Sequence, residues 1–116
     1  MNIEELREYC MAKKHVTESF PFDNETLVFK VMNKMFALTG INSNPVSVNL
    51  KCDPEKAIAL REEYSCVLPG YHMNKQHWNT VIVDGSVSDK LVMEWIDDSY
   101  NLIVASLPKR VREQMS

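Results

Sequence analysis

The chain has 116 residues, 13 Lys and Arg against 16 Asp and Glu, and a formal charge of −3. That length suits one ordinary domain, able to bury roughly two-thirds of its unfolded surface. With 45% hydrophobic and 25% charged residues, three Gly and five Pro, it is neither collagen-like nor low-complexity, and its mild acidity excludes a uniformly basic, histone-like coat.

Residues 2–14 read as a first helix, with Ile3, Leu6 and Cys10 on one side and Glu4, Glu5, Arg7, Glu8 and Lys13 elsewhere. Val16–Phe20 reads as a short strand stopped by Pro21. Leu27–Met32 and Met35–Thr39 read as a hairpin turning at Asn33-Lys34. Gly40 and the cluster Asn42 to Pro45 mark a loop. Val46–Lys51 alternates strictly, which sends Val46, Val48 and Leu50 inward and Ser47, Asn49 and Lys51 outward. Asp53-Pro54 starts a second helix that runs to about Tyr64. Pro69-Gly70 reads as a turn, followed by a second hairpin of Tyr71–Met73 and Gln76–Val83 around Asn74-Lys75. Ser86 with Asp89 resembles a capping box for a last helix. Its apolar series runs from Leu91 through Trp95, Ile96 and Ile103 to Leu107, where Pro108 ends it. Lys109–Ser116 reads as a basic, frayed tail. The order helix, strands, helix, hairpin, helix is that of a single α+β domain over 1–116, an antiparallel sheet with helices packed on one face.

Cys10, Cys52 and Cys66 show no C-x-x-C spacing, so a reduced, cytoplasmic protein is expected rather than a disulfide framework. Met1–Glu8 carries three Glu and lacks an apolar signal core. The apolar stretch Leu27–Leu38 is broken by Lys30, Asn33 and Lys34 and falls short of the ~20 residues a membrane helix needs. No membrane association is expected.

The net charge hides a segregation. Thr26–Cys52 and Tyr64–Val83, 47 residues together, contain no acid and carry Lys30, Lys34, Lys51 and Lys75 with His72 and His77. Strands are poor in Asp and Glu in any protein, which accounts for part of this. They are poor in Lys too, and the excess is what a phosphate-facing surface would add. The tripeptide Met-Asn-Lys occurs at 32–34 and again at 73–75, putting a Lys at each expected hairpin tip. Ordinary turn chemistry and coincidence explain the repeat as well, since Asn tolerates a left-handed backbone.

Catalytic chemistry finds little support. Cys66, His72 and His77 lack a fourth ligand at standard metal spacing. Neither Cys66 with His72 nor Cys10 with His15 has an orienting third group. The three Gly are scattered, so there is no phosphate loop, and Asp97-Asp98 are adjacent helix positions that do not face each other. No catalytic residue, metal or cofactor is expected. Trp78 reads as core, with a stacking or anchoring surface as its alternative, and Tyr71 shares that ambiguity beside the Pro69-Gly70 turn.

The run Pro69-Gly70-Tyr71-His72-Met73-Asn74-Lys75-Gln76-His77-Trp78-Asn79-Thr80-Val81 resembles the MmcQ/YjbR family of small bacterial proteins. Further pieces agree in order. They are Pro21-Phe22, Val28 to Val31, Lys34 to Leu38, Leu50 to Pro54, Asp98-Ser99-Tyr100 and Leu107 to Lys109. The resemblance covers essentially the whole chain. It implies an α+β fold related to secretion-chaperone-like domains. It also implies DNA binding, by likeness of the sheet to a double wing in a phage transcription-activator domain, which is a fold analogy. The family brings no catalytic residues. Relatives often have Gly in the first hairpin turn, where this chain has Met32-Asn33.

Two functions are expected from these readings. The first is a non-enzymatic module that binds DNA weakly and salt-sensitively through Lys30, Lys34, Lys51, Lys75, His72 and His77. The second is a chaperone-like module for a peptide, a protein partner or a second copy of the chain. Tyr71, Trp78 or Phe22 and the seven Met would give it an adaptable surface.

Overall fold

The alternation in Val46–Lys51 places three apolar and three polar side chains on opposite faces of a strand, and the whole sheet follows that division. A computed structural model describes residues 1–115. Its elements are α1 (Ile3–Met11), β1 (Val16–Ser19), β2 (Thr26–Val31), β3 (Lys34–Gly40), β4 (Val46–Lys51), α2 (Pro54–Glu63), β5 (Val67–Pro69), β6 (Trp78–Val83), α3 (Asp89–Ser106) and α4 (Lys109–Glu113). The strands form one antiparallel sheet in the order β1-β2-β3-β4-β6-β5.

One face lies under helices. Phe29 and Val31 of β2, Phe36 of β3, Val48 and Leu50 of β4 and Val81 of β6 pack on Leu6 and Cys10 of α1 and on Val92, Trp95, Ile96 and Ile103 of α3. Among the described residues no helix covers the other face. Its apolar centre is smaller: Val28, Leu38 and Trp78, flanked by Met35 and Met73.

A β-bulge marks where the sheet opens. Phe29 faces Ala37 and Lys30 faces Met35, which leaves Phe36 as the extra residue of β3. The β3–β4 ladder then stops at Ala37–Leu50, before Phe36 and Lys51. Ser99 of α3, fully buried, bridges the gap. Its Oγ donates to the Phe36 carbonyl at 2.6 Å and accepts from the Lys51 amide at 2.9 Å. Its neighbours in sequence tie α3 down as well. Tyr100 donates to the Lys14 carbonyl at 2.7 Å and meets the Phe36 ring edge-on, and Asp98 pairs with Lys56 of α2 at 2.9 Å.

The helix starts follow local chemistry. Asn2 and Glu5 form a reciprocal capping box on α1. Pro54 opens α2 after Asp53, whose side chain makes no capping bond. Asn79 of β6 holds α2 in place by donating to the Ala57 carbonyl at 3.3 Å.

The structure corrects several boundaries read from the sequence. The first turn is Met32-Asn33, one residue earlier than expected. Both residues have positive φ, 47° and 69°, the backbone a two-residue hairpin turn needs to match strand twist. The second hairpin is differently made. Tyr71–Met73 is not a strand. Its place is taken by Val67–Pro69, and eight residues, Gly70–His77, connect β5 to β6. Pro69 is tolerated because β5 is an edge strand. Ser88, not Ser86, caps α3, accepting from the Leu91 amide. The segment read as a frayed tail carries the short helix α4 through Glu113, and His15 Nε2 lies 3.1 Å from the Met115 carbonyl. Ser116 is outside the described residues. Among the described residues no helix is long and apolar enough to cross a membrane.

Candidate functional site

Strand direction decides where the charges go. β2, β4 and β5 end, and β1, β3 and β6 begin, at the same end of the sheet. That end therefore carries Lys30 near the close of β2, Lys34 at the start of β3, Lys51 at the close of β4, and Lys75, His72 and His77 in the β5–β6 loop. Lys13, Lys14 and His15, just before β1, join them. Lys34 and Lys75 are exposed, and Lys30 and Lys51 are half-buried. By register Lys30 and Lys51 belong to the helix-free face, Lys30 beside Met35 and Lys51 beside Trp78. The acids nearby are partly neutralised: Asp97 holds Lys13 and Asp98 holds Lys56, while Asp53 is exposed at the start of α2. The connections at the opposite end, 20–25, 41–45 and 84–88, contain Asp23, Glu25 and Asp84 and no Lys or Arg.

The loop Gly70–His77 is folded back on the sheet. Gly70 donates its amide to the Trp78 carbonyl at 2.9 Å. A Cβ there would lie 2.8 Å from both the Cβ and the carbonyl oxygen of Trp78, so only Gly lets the strand and loop approach this closely. Met73 covers Trp78, which is 9% exposed; the core reading of that residue describes its burial, although its cluster is the smaller one on the helix-free face. Asn74 accepts the Trp78 amide on its carbonyl and the Gln76 amide on Oδ1, both at 2.9 Å. His72 takes a left-handed backbone, φ 58°, and its ring centroid is 4.0 Å from that of Tyr71.

Tyr71 is hydrogen-bonded to the sheet through its main chain, while its ring meets that of His72. Its amide donates to Thr80 Oγ1 at 2.9 Å, and its carbonyl accepts from Asn49 Nδ2 at 3.4 Å. Thr80 Oγ1 in turn donates to Asn49 Oδ1 at 2.5 Å, which closes the network. The Tyr71 side chain stays 70% exposed. With Phe22 and Leu68, 65% and 46% exposed, it borders a half-open groove of about 870 Å³ on the helix-free face. Ser47, Asn49 and Thr80 form a polar strip between apolar walls of Leu38, Met73 and Ile82.

The structure separates the Cys–His and acid pairs that the sequence offered for chemistry. The three cysteines are free and buried. Burial pushes the Cys10 thiol up to about 12 and raises that of Cys52, the reverse of an activated nucleophile. Cys66 lies in the helix-side core, whereas His72 and His77 belong to the loop. Among the described residues no three His, Cys, Asp or Glu are placed to hold a metal. Asp97 and Asp98, adjacent in sequence, serve separate lysines.

The sequence did not expose the groove. Its polar strip is visible only as the outward set of β4, and its adjacency to Thr80 depends on β4 pairing with β6 across the intervening α2 and β5. Phe22 is legible only as a candidate surface aromatic, and Leu68 gives no signal beyond being an apolar residue beside Pro69.

The fold and surface define a small α+β protein with one helix-backed and one open sheet face. The chain belongs to the YjbR family, whose model matches residues 11–102. It is 40% identical over 113 residues to the uncharacterized protein YjbR of Escherichia coli K12, covering 97% of this chain and 96% of that one. It is 32% identical over 76 residues to YyaQ of Bacillus subtilis, covering 66% and 63% of the two chains. The crystal structure of the Deinococcus radiodurans protein DR2400, a DUF419 domain, superposes with a TM-score of 0.92 at 42% identity, over 98% of this chain and 87% of that one.

Proposed function

We propose that this protein is a non-enzymatic, cytoplasmic DNA-binding module that meets a phosphate backbone with the basic end of its sheet. The observation that carries this reading is the gathering of Lys30, Lys34, Lys51 and Lys75, with His72 and His77, at one end of the strands. Lysine neutralises phosphate as a point charge and reads no sequence. Binding on this scheme is weak, tolerant of sequence and sensitive to salt. The first hairpin serves as one wing. The second contact is the loop Gly70–His77, which brings Lys75 without being a hairpin. Four neutralised phosphates give a log–log salt slope of about −3.6 on duplex DNA. Titration of labelled duplex at two salt concentrations tests it, with Lys34→Glu/Lys75→Glu as the variant. The variant is expected to abolish low-salt binding. Absence of binding at low salt, or binding indifferent to the double substitution, refutes the proposal.

One observation favours a second reading, a chaperone-like module for a peptide, a protein partner or a second copy of the chain. Phe22, Leu68 and Tyr71 stand exposed around an apolar-walled groove, an arrangement that often marks a docking surface. Light scattering that shows a monomer at every concentration, with no uptake of an apolar dye, removes this reading.

A further inference from the structure

We infer that the groove on the helix-free face receives the unpaired bases of a single-stranded nucleic acid, while the basic end of the sheet holds its backbone. This rests on the nucleic-acid reading above and narrows it from any phosphate backbone to a single strand.

Shape is the first argument. A duplex gripped by two wings calls for two projecting hairpins. Here only the Met32-Asn33 tip is a hairpin turn, and the other candidate is folded back against Trp78. What the fold offers instead is a concavity of about 870 Å³, within the ~300–1,000 Å³ of ordinary small-molecule sites. The bases of a duplex are stacked away inside it. Unpaired bases are free to splay out and enter such a groove.

The exposed aromatics are the second. Tyr71 and Phe22 line the groove and are the two most exposed of the large hydrophobic side chains. The sheet core makes little use of the Tyr71 ring, yet its main chain is fixed at both amide and carbonyl by Thr80 and Asn49. A ring on a braced backbone is a stacking platform prepared before binding. Stacking suits every base because every base has a π-face. The polar strip puts Ser47 and Asn49, both uncharged and partly exposed, between the walls.

Charge is the third. By register Lys30 and Lys51 share this face of the sheet, Lys30 opposite Met35 of the groove lining and Lys51 opposite Trp78, so the lysines lie next to the groove at its loop end rather than in its lining. Asp23, an acid of the groove lining, belongs to the β1–β2 connection at the opposite end of the strands. A strand with its backbone at the lysines and its bases over Tyr71 meets this distribution without opposing it.

The test is fluorescence anisotropy with labelled oligo-dT and with a mixed-sequence duplex of equal length, each at two salt concentrations. Oligo-dT is expected to bind at least about tenfold tighter, with a salt slope nearer −2.8 than −3.6 for about four contacts. Tyr71→Ala is expected to weaken oligo-dT by roughly 5- to 150-fold, the ratio of an ordinary base–aromatic stack, and to leave the duplex unchanged. Tyr71→Phe keeps the ring and is expected to bind as the parent does. Circular dichroism of each variant checks the fold, which an exposed side chain should not disturb. Equal binding of both nucleic acids with no effect of Tyr71→Ala overturns the single-strand inference and leaves the phosphate-backbone reading intact. Binding of neither overturns both. Uptake of apolar peptide in place of oligo-dT overturns both in favour of the docking-protein reading.

Discussion

Replacing Ser99 by Ala removes one oxygen from a fully buried position and should cost far more than its size suggests. That oxygen satisfies two backbone groups where the β3–β4 ladder has stopped, the Phe36 carbonyl and the Lys51 amide. In Ser99→Ala the buried carbonyl loses its partner, at about 1–3 kcal/mol for an unsatisfied buried group. The part-buried amide adds about 0.5–1.5 kcal/mol, the worth of an ordinary hydrogen bond. The sum, about 1.5–4.5 kcal/mol, is a large share of the stability of a domain this size. Urea denaturation followed by circular dichroism reads it as a lower midpoint at unchanged slope, since little surface is added or removed. The melting temperature should fall by about 6–18 °C. A loss below about 0.5 kcal/mol would show that the two groups find other partners and that Ser99 does not stitch the sheet.

Two further substitutions probe the loop and the helix pair. Gly70→Ala forces a Cβ to within 2.8 Å of Trp78 and should cost about 1–3 kcal/mol while shifting the Trp78 fluorescence; an unchanged spectrum and midpoint would contradict the close packing. Burial, then its hydrogen bond to Asp97, push the Tyr9 phenol up to about 12 from an ordinary 10. A pKa raised on folding contributes stability that is complete below about pH 10 and lost as pH climbs toward 12. Tyr9→Phe should flatten that alkaline limb in melts taken from pH 9 to 12, and an identical limb in the variant would refute the assignment.

Local chemistry made much of the fold legible. The alternation of β4 and the apolar series of α3 from Val92 to Ile103 each named the face that the structure buries. Errors came where a rule of thumb met a tertiary override. A two-residue turn that starts with Asn is the hairpin signal, which places the first turn one residue late. The structure tolerates Met32 at positive φ, where its side chain packs against the core. Pro69 looked like a turn because proline rarely lies in strands, and an edge strand is the exception. Ser99 enters the sequence reading only within the Asp98-Ser99-Tyr100 resemblance, and its structural role is invisible there because it depends on a bulge in another element. The candidate site was legible residue by residue and not as a surface. Lys30, Lys34, Lys51 and Lys75 could be named from the chain, but their common end follows from strand order and direction.

That common end bears on how the molecule is felt by a neighbour. A strand of six or seven residues is roughly 20 Å long, more than twice the ~8 Å screening length at physiological ionic strength. The body measures 39 × 31 × 26 Å. A charged partner touching the lysine end therefore lies beyond effective reach of Asp23, Glu25 and Asp84, and the formal −3 is not the charge it meets. Farther out, the lysines at one end of the strands and Asp23, Glu25 and Asp84 at the other leave a net separation of charge along the strands, reduced by Asp53, Asp97 and Asp98 at the basic end. In the field of a polyanion such a body experiences a torque that turns its loop end inward before contact.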